Sequence, residues 1–360
     1  MVDSTRKPET IPPAQSRARR GGGSPTIADV AQAAHVSPMT VSRVINGEVN
    51  VRESTRTKVQ AAIARLGYVP NPAARSLAGG QQCRIALLHA NPSAAWLSEL
   101  LMGSLAEAAL CNIELTVEPC EGEEAADAMV QRLAAHRVDA VILPPPLCED
   151  MALLARLRDA GLPVAQIATG APAAPAFAVT IDDEAAAHAM TARLVSLGHC
   201  RIGFICGAGN QTTSALRLAG YRRALTEAGI AACPQLVARG DFTYRSGLAA
   251  AAQLLASTPR PTAIFASNDD MAAAAIAAAH RAGLDVPREI SVCGFDDTAM
   301  ATTIWPELTT IRQPVADMAR RAVRLLADAV RAGGAAATRH ERLEYQLVPR
   351  TSDAAPPAGD

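Results

Sequence analysis

The chain has 360 residues, 49% of them hydrophobic and 3% aromatic, with a formal net charge of −1 at pH 7. The length allows two or three domains, and the apolar content is ample for a large core. No apolar run approaches the roughly 18 residues that cross a bilayer, and the N-terminus lacks the apolar core of a signal peptide. These properties exclude a membrane protein and predict a cytoplasmic one.

The near-neutral total conceals a basic N-terminal part. Residues 1–80 carry 11 Lys and Arg against 5 Asp and Glu, a net of +6, so the remaining chain has a net of −7. Such an excess is the electrostatic footprint of phosphate binding. Residues 1–25, which include Arg17, Arg19 and Arg20 ahead of a glycine run, are expected to form a disordered basic tail.

The first predicted helix begins at Thr26. Its hydroxyl can accept a hydrogen bond from the backbone of Asp29, and the negative charge of Asp29 is favoured in a first turn. Apolar residues recur at helical spacing as far as Ala34, and His35 then breaks the pattern. The segment therefore predicts a short helix followed by a tight turn.

A second helix is predicted from Ser37 as its N-cap and Pro38 at its first position, where the missing N–H costs nothing. Val41, Val44 and Ile45 are expected to face inward. The outward side chains are Met39, Thr40, Ser42, Arg43 and Asn46. Such a face can enter a major groove, so the pair predicts a DNA-binding helix-turn-helix, although an amphipathic hairpin with a solvated face fits the pattern too.

A third helix and a hinge follow. The segment Glu53–Leu66 has apolar residues at helical spacing and is stopped by Gly67. Three helices make a small headpiece, assigned to residues 26–71. Residues 72–80 begin with a proline and end with glycines, and they are too few for a stable isolated helix, so a conditional hinge helix is expected there.

From Arg84 onward, short β-branched runs alternate with alanine-rich helical stretches. Ten strands are predicted, at Arg84–His89, Ile113–Glu118, Ala140–Pro144, Val164–Ile167, Ala178–Ile181, Arg201–Cys206, Gln235–Val237, Ala263–Ala266, Ser291–Phe295 and Leu308–Ile311. The alternation predicts parallel sheets covered by helices, and two groups of about five strands predict two doubly wound lobes. Ligands of such folds bind at the carboxyl ends of strands, so a cleft between the lobes is expected.

The eight cysteines are scattered, without a C-x-x-C pair or a histidine cluster at ligand spacing. They are expected to be reduced core residues, with no metal site and no cofactor.

The run from Thr26 to Gly79 resembles the headpiece and hinge of the LacI/GalR family of bacterial transcriptional regulators. The matching motifs are Asp29-Val-Ala, Val36-Ser-Pro-Met-Thr-Val-Ser-Arg-Val-Ile-Asn46, Thr55-Arg, Leu66-Gly-Tyr-Val-Pro-Asn71 and Ala74-Arg-Ser-Leu77. The resemblance implies that Pro38, Met39 and Arg43 read bases and that Leu77 wedges into the minor groove. The expected DNA-binding residues are Thr26, Ser37, Pro38, Met39, Thr40, Ser42, Arg43, Asn46, Arg56, Asn71, Arg75 and Leu77.

Two departures from the family limit this comparison. His35 stands in the turn where the family commonly has glycine, so slight backbone strain is expected there. Pro38-Met39 replaces the long polar pairs of many members. More of the specificity is therefore expected from Arg43, which can pair bidentately with guanine.

The rest of the chain resembles the family's regulatory core, which has the periplasmic binding protein-like fold. The resemblance is carried by Leu197–Phe204, Leu216–Tyr221, Ala266–Ala272, Val286–Asp297 and Leu308–Gln313. It implies an effector-binding and dimerisation core over residues 82–352. Lobe 1 would span about 82–182 and 314–340, and lobe 2 about 183–313 and 341–352, leaving 353–360 as a flexible tail. The fold class is thus an all-α helix-turn-helix headpiece followed by an α/β core of two doubly wound parallel-sheet lobes.

The same resemblance implies where an effector binds. Arg217, Asn268 and Asp296 match effector-holding positions, and their forked donors and acceptors suit vicinal hydroxyls. Aromatic rings that often stack on the ligand are matched by Trp96 and Phe242, and the expected set is completed by Arg245 and Gln313. Purely structural roles are also open: Asn268 as a helix cap, Asp296 bonded within its own loop, and Trp96 in the core.

The function implied is that of a repressor of carbohydrate-utilisation genes that a sugar or glycoside inducer releases from a pseudo-palindromic operator. The apolar stripe of Val315–Val330 is expected to be mostly core, and no C-terminal heptad follows it, so a homodimer is expected. A periplasmic transport protein would have no use for the headpiece, and a dinucleotide enzyme would need a glycine-rich turn after its first strand. A repressor of the same family with a purine or other non-sugar corepressor is the alternative.

Overall fold

The structure, a computed structural model, describes residues 25–45, 51–68, 83–90, 93–120, 123–333 and 338–357. The chain divides into two compact units, Met1–Gln81 and Gln82–Asp360. The predicted basic tail, apart from Pro25, and the predicted hinge lie outside the described residues. So do four of the predicted DNA-binding residues, namely Asn46, Asn71, Arg75 and Leu77.

The first unit contains the three predicted helices, α1 (Ile27–Ala34), α2 (Pro38–Ile45) and α3 (Glu53–Leu66). Thr26 and Asp29 form a reciprocal capping box at the start of α1. The hydroxyl of Ser37 accepts a hydrogen bond from the backbone of Thr40, as a cap on α2 requires. These local signals explain why the predicted and observed helix bounds agree so closely.

Small apolar side chains hold the three helices together. The buried cluster consists of Val30, Ala31, Ala34, Val41, Val44, Val59, Ala62 and Tyr68. The turn between α1 and α2 places His35 in the left-handed region, with φ 54° and ψ 46°, and its N–H bonds to the carbonyls of Ala31 and Gln32. His35 therefore terminates α1 in the role that glycine usually fills.

Lobe 1 of the second unit is built on a parallel sheet. In the described part of the chain its six strands are β1 (Arg84–His89), β2 (Glu114–Pro119), β3 (Ala140–Leu143), β4 (Val164–Ile167), β5 (Phe177–Thr180) and β11 (His340–Arg342), in the order β11-β5-β4-β3-β1-β2. Helices α4 (Ala94–Cys111), α5 (Glu123–Ala135), α6 (Met151–Asp159) and α12 (Val315–Arg331) belong to this lobe. The apolar stripe of α12 packs on α4 and on β3, β4 and β5, so it is core, as predicted.

Lobe 2 has a smaller parallel sheet. Its strands within the described residues are β6 (Ile202–Cys206), β7 (Val237–Arg239), β8 (Ala263–Ala266) and β9 (Ser291–Cys293), in the order β7-β6-β8-β9. The accompanying helices are α7 (Asp183–Ser196), α8 (Thr212–Glu227), α9 (Tyr244–Leu255), α10 (Asp269–Arg281) and the short α11 (Met300–Thr303). A separate antiparallel ribbon joins β10 (Thr310–Arg312) to β12 (Gln346–Val348).

The strand predictions need three corrections. The sheets have six and four strands instead of about five each. Pro234–Leu236 is a 3₁₀ turn, so the strand predicted at Gln235–Val237 begins only at Val237. The short strands β11 and β12 were not predicted, and β11 pairs with β5 at the edge of the lobe 1 sheet.

The start of the predicted flexible tail is part of lobe 2. The carboxylate of Asp353 accepts hydrogen bonds from Arg193 Nε at 2.7 Å and from the Thr309 hydroxyl at 2.5 Å. The carbonyl oxygen of Ala354 contacts His199 Nε2 at 2.8 Å and accepts from the Ser291 hydroxyl at 3.1 Å. The core therefore extends beyond the boundary predicted at residue 352, because these polar groups are satisfied by lobe 2.

Helix α4 is the one described helix that is long and apolar enough to span a membrane by length and composition. Its Ser93 N-cap, its glutamates Glu99 and Glu107, and its packing on α12 are features of a core helix in a globular lobe. Gly103 permits the close approach, because a Cβ there would lie 2.2 Å from the Ala316 carbonyl oxygen. We therefore interpret α4 as a packing helix of lobe 1.

Candidate functional sites

The outward face of α2 is the candidate DNA-reading surface of the first unit. Val41 and Val44 are buried against α1 and α3, which forces the opposite side of the helix into solvent. Pro38 and Arg43 are exposed there, and the Met39 side chain is 65% exposed. An exposed methionine beside an arginine on a short helix offers apolar contact to a thymine methyl and a forked donor pair to guanine.

Other predicted DNA-binding residues already make contacts within the helical unit. The hydroxyls of Thr26 and Ser37 cap α1 and α2, and the Thr40 hydroxyl lies 2.9 Å from that of Ser37. Ser42 is half-buried, and Arg56 Nε lies 3.6 Å from a Glu53 carboxylate oxygen. The caps orient the N-terminus of α2, the end that a recognition helix directs toward bases.

A small cavity lies between the two lobes of the second unit, at the carboxyl ends of strands from both sheets. Six of the seven predicted effector residues line it, together with five residues that were not predicted. The lining consists of Ser93, Trp96, Pro145, Ala168, Gln211, Thr213, Arg217, Phe242, Asn268, Asp296 and Gln313. The exception is Arg245, which is exposed in the first turn of α9, outside this set.

Arg217 is the cation of the cavity wall and is held on several sides. Its Nε donates to Asp183 at 2.8 Å, and its Nη1 donates to the Ser267 carbonyl at 2.5 Å. Its guanidinium carbon lies 3.6 Å from the centroid of the Phe295 ring. Asp183 neutralises this buried cation, and burial in turn raises the pKa of the Asp183 carboxyl despite the arginine.

Asp296 lies beside that pair in the cavity wall, with Oδ1 3.9 Å from Arg217 Nη1. Its φ of 110° is unusual for a residue with a side chain, and Gln313 Nε2 donates to its Oδ1 at 2.6 Å. Burial raises the pKa of the Asp296 carboxyl to about 7, although Arg217 and the Gln313 hydrogen bond oppose the shift. Asp296 thus bonds to the residue after β10, and not only within its own loop as the structural alternative supposed.

Asn268 combines the two roles weighed from sequence. Its Oδ1 accepts from the backbone of Met271 and caps α10, while its amide nitrogen donates to the Phe242 carbonyl at 3.0 Å. Phe242 has φ 70°, and its ring lies so close to Gly207 that a Cβ there would sit 2.0 Å from a ring carbon. The glycine therefore lets the ring enter the cavity wall, and Trp96 likewise belongs both to the core and to the lining.

The cavity keeps unused hydrogen-bonding capacity and stored strain. Gln313 Oε1 is buried without a hydrogen-bond partner among the described residues. Ala168, Phe242 and Asp296 all have positive φ and all line the cavity. Unsatisfied buried acceptors and strained backbone cluster at ligand sites, where the surrounding structure maintains them.

The unpredicted lining residues follow a topological signal that was available. Ala168 directly follows β4, and Pro145 lies two residues after β3. Ser93 and Gln211 directly precede the helices that follow β1 and β6. Residues at the carboxyl ends of parallel strands converge on one cleft. Applying that rule to every strand would have found them.

Comparisons with known proteins agree over both units. The family described as "Bacterial regulatory proteins, lacI family" matches residues 26–71, and the "Periplasmic binding protein-like domain" matches residues 191–352. Catabolite control protein A of Priestia megaterium is 35% identical over 304 residues, 84% of this chain and 91% of that protein. The transcriptional regulator CelR of Thermobifida fusca is 36% identical over 321 residues, covering 85% and 92%.

Solved structures give the same result. A CelR–cellobiose complex aligns with a TM-score of 0.70 and 33% identity, covering 91% of this chain and 99% of that one. A lac repressor dimer bound to operator and the anti-inducer ONPF aligns with a TM-score of 0.70 and 31% identity, covering 92% and 100%. The helix-turn-helix unit, the two-lobed core and these relatives together show that the chain belongs to the LacI family of bacterial transcriptional regulators.

Proposed function

We propose that this protein is a cytoplasmic, homodimeric repressor of carbohydrate-utilisation genes and that a sugar or glycoside bound between the lobes releases it from a pseudo-palindromic operator. The observation that carries the sugar assignment is the composition of the cavity wall. A guanidinium, a carboxylate and three amides line the cavity together with two aromatic rings. Forked donors and acceptors suit vicinal hydroxyls, and a flat ring suits the C–H face of a pyranose.

The charge of the cavity further supports a neutral ligand. Arg217 is already paired with Asp183, so it offers little excess positive charge to an anionic ligand. Asp296 contributes either no charge or a negative one near neutral pH, because its pKa is raised to about 7. A carboxylate or phosphate would be poorly compensated here, whereas the free Gln313 Oε1 can accept from a hydroxyl.

DNA recognition is assigned to the outward face of α2. A single short helix contacts too few base pairs for tight binding, so two headpieces on adjacent half-sites are required. Effector binding and operator binding are coupled through the relative arrangement of the lobes. Such coupling is reciprocal, so the inducer lowers operator affinity by the same factor by which the operator lowers inducer affinity.

The proposed dimer interface includes the exposed apolar side of α4. Met102, Leu105 and Leu110 are 65%, 50% and 80% exposed, and α4 packs beside the edge strand β2. Several large apolar side chains exposed on a helix beside a sheet edge are typical of an interaction site. The lac repressor structure that aligns with this chain is itself a dimer on operator.

We expect that replacing Leu105 and Leu110 together by glutamate will convert the dimer to a 37.4 kDa monomer, because four charges would face one another across the two-fold axis. Sedimentation velocity measures the mass, and operator binding should weaken with it. Met151→Glu is the matched control, since the Met151 side chain is 66% exposed, between the values for Leu105 and Leu110, but lies on another helix of lobe 1. An unchanged dimer in the double variant would place the interface elsewhere.

The central experiment selects an operator from random duplexes with the full chain and then measures DNA affinity with added sugars, glycosides and purines. We expect one sugar class to raise the melting temperature and to weaken operator binding by about tenfold or more. Arg43→Ala should lose operator binding and keep the sugar-dependent rise in melting temperature. Asp296→Asn should keep operator binding and lose the sugar-dependent rise in melting temperature. Loss of both properties in each variant would contradict the division of labour between the two units.

A purine corepressor is the second candidate. Trp96 and Phe242 could stack on a purine, and the PurR repressor of Photobacterium profundum is 34% identical over 334 residues, 90% of this chain and 96% of that protein. In that case a purine alone would stabilise the chain, and it would strengthen operator binding instead of weakening it.

A further inference from the structure

One carboxylate crosses the cleft without lining the cavity. Glu149 ends the 3₁₀ turn Leu147–Glu149 after β3 in lobe 1, and this turn is anchored by two buried side chains. Its Oε2 accepts from the backbone N–H of Thr212 in lobe 2 at 2.7 Å. Its Oε1 accepts from the Thr212 hydroxyl and from the Thr169 hydroxyl, the latter at 3.1 Å. Two lobes therefore share one carboxylate.

The Glu149 carboxylate caps the N-terminus of α8, which has no capping side chain of its own within the described residues. In the described part of the chain, the side chain of Gln211, the N-cap residue of α8, makes no capping hydrogen bond. The free N–H groups and the positive end of the helix dipole favour an anion at this position. Glu149 provides that anion from the opposite lobe, and α8 carries Thr213 and Arg217 of the cavity wall.

The backbone is built for this approach. Gly170 N donates to the Thr212 hydroxyl at 2.9 Å, and a Cβ at residue 170 would lie 2.6 Å from that hydroxyl oxygen and 2.7 Å from a Leu216 methyl. A second cross-lobe contact runs from the hydroxyl of Ser93, the N-cap of α4 and itself a cavity-lining residue, to Asp270 Oδ2 in the first turn of α10, at 2.5 Å. The cavity is thus flanked by two polar interlobe contacts.

We propose that Glu149 is an interlobe latch, which holds the cleft closed and positions the helix of Arg217 without touching the effector. The inference deepens the proposed function, since it concerns regulation of the same cleft. Once the latch is removed, a larger fraction of the protein has the lobes apart, and apparent effector affinity falls in proportion to the closed fraction.

The test needs no effector. The chain has two tryptophans, Trp96 at 4% exposure in the cleft and Trp305 at 79% exposure, so Trp305→Phe leaves Trp96 as the sole reporter. In this background we expect Glu149→Ala to raise the acrylamide quenching constant of Trp96 by about twofold or more, with Glu149→Gln intermediate. Gly170→Ala should act in the same direction, because its methyl group wedges the lobes apart.

Two matched controls isolate the latch. Asp150 is the adjacent carboxylate, but it caps α6 of its own lobe, accepting from Ala152 and Leu153. Gly209 has open space where a Cβ would stand. Asp150→Ala and Gly209→Ala should leave the quenching of Trp96 unchanged. Unchanged quenching in both Glu149→Ala and Gly170→Ala, or an equal rise in Asp150→Ala, would overturn the latch.

This test can be decided whether or not the proposed function is correct. If no sugar binds, the quenching difference between Glu149→Ala and Asp150→Ala is still measurable in the effector-free chain. If a sugar is found, Glu149→Ala should bind it about fivefold to tenfold more weakly while Asp150→Ala binds it normally. Equal affinity in the two variants would overturn the role of the latch in effector binding.

Discussion

Replacing Arg217 by methionine should lower the free energy of unfolding by about 3–5 kcal/mol and abolish the response to the effector. The arginine and Asp183 are both nearly inaccessible, with side chains 5% and 1% exposed. Removal of the cation leaves a buried carboxylate without its charged partner. Burial already raises the pKa of that carboxyl, and loss of the opposing arginine charge raises the pKa further, so uptake of a proton limits the loss of stability.

A second substitution separates charge from packing. Asp183→Asn added to Arg217→Met should recover part of the lost stability, since no uncompensated charge then remains in the interior. Chemical unfolding followed by circular dichroism measures each member of the cycle. Equal stability of Arg217→Met and the parent would mean that the pair contributes nothing to the folded state.

The same two helices offer a matched surface pair. Arg223 of α8 bonds to Glu184 of α7, next to the buried pair, but these side chains are 44% and 35% exposed. Solvent screens such a pair, so Arg223→Met should cost no more than about 1 kcal/mol. The contrast between two ion pairs on one helix interface tests burial as the cause of the larger effect.

The helices and buried strands were predictable because their signals are local. The Thr26–Asp29 capping box, the glycine stop at Gly67 and apolar runs such as Val164–Ile167 each lie within a few residues of the element they define. Such signals act before any tertiary contact forms. The three headpiece helices and strands β1, β4 and β8 accordingly match the predicted bounds.

The missed elements depend on distant partners. Strands β11 and β12 have only three residues each, His-Glu-Arg and Gln-Leu-Val, and both are too short for a pattern of alternation to be recognised. They are strands because β5 and β10 present open edges to them, which no local pattern records. Both missed strands therefore have the same physical origin.

The residues of the cavity could also be predicted only in part from the sequence. Family resemblance placed Arg217, Asn268 and Asp296 around one space, but it could not tell that Arg245, two positions into α9, points to solvent while Phe242 turns inward. Glu149 was not predicted, since its contact with Thr212 spans 63 residues and requires the lobes to meet. Roles created by lobe closure are not encoded in any single segment.

Asp296→Asn should stabilise the protein at pH 8 and remove its response to the effector. Burial raises the native pKa of this carboxyl from 3.8 to about 7, so between these values the native state holds a proton that the unfolded chain has lost. The carboxyl therefore lowers stability as pH rises from about 4 to 7, and the loss is complete above 7. Asparagine does not titrate, so it causes no such loss of stability with pH, and its side-chain oxygen still accepts a hydrogen bond from Gln313.

The stability gap between variant and parent should widen by about 2–3 kcal/mol from pH 5 to pH 8. Thermal unfolding at the two pH values measures it. Asp183 and Asp270 also have raised pKa values, mainly through burial, and these contributions are present in both proteins. The charge of Asp296 helps burial to raise the pKa of Asp269, so losing that charge lowers the pKa of Asp269 and widens the gap in the same direction. A gap that narrowed with pH would mean that native Asp296 is charged and stabilised by Arg217.

The neighbouring carboxylate should respond with the opposite sign. Asp297 accepts from Arg312 Nε and from Arg350 Nη2, each at 2.6 Å, and its side chain is 5% exposed. Asp297→Asn weakens two charge-assisted hydrogen bonds and should cost about 1–3 kcal/mol at pH 8. Two adjacent aspartates with similar burial thus differ in the effect of losing their charge. Asp297 has two short arginine contacts. Among the described residues, Asp296 has only Arg217, which lies 3.9 Å away and is bonded to Asp183.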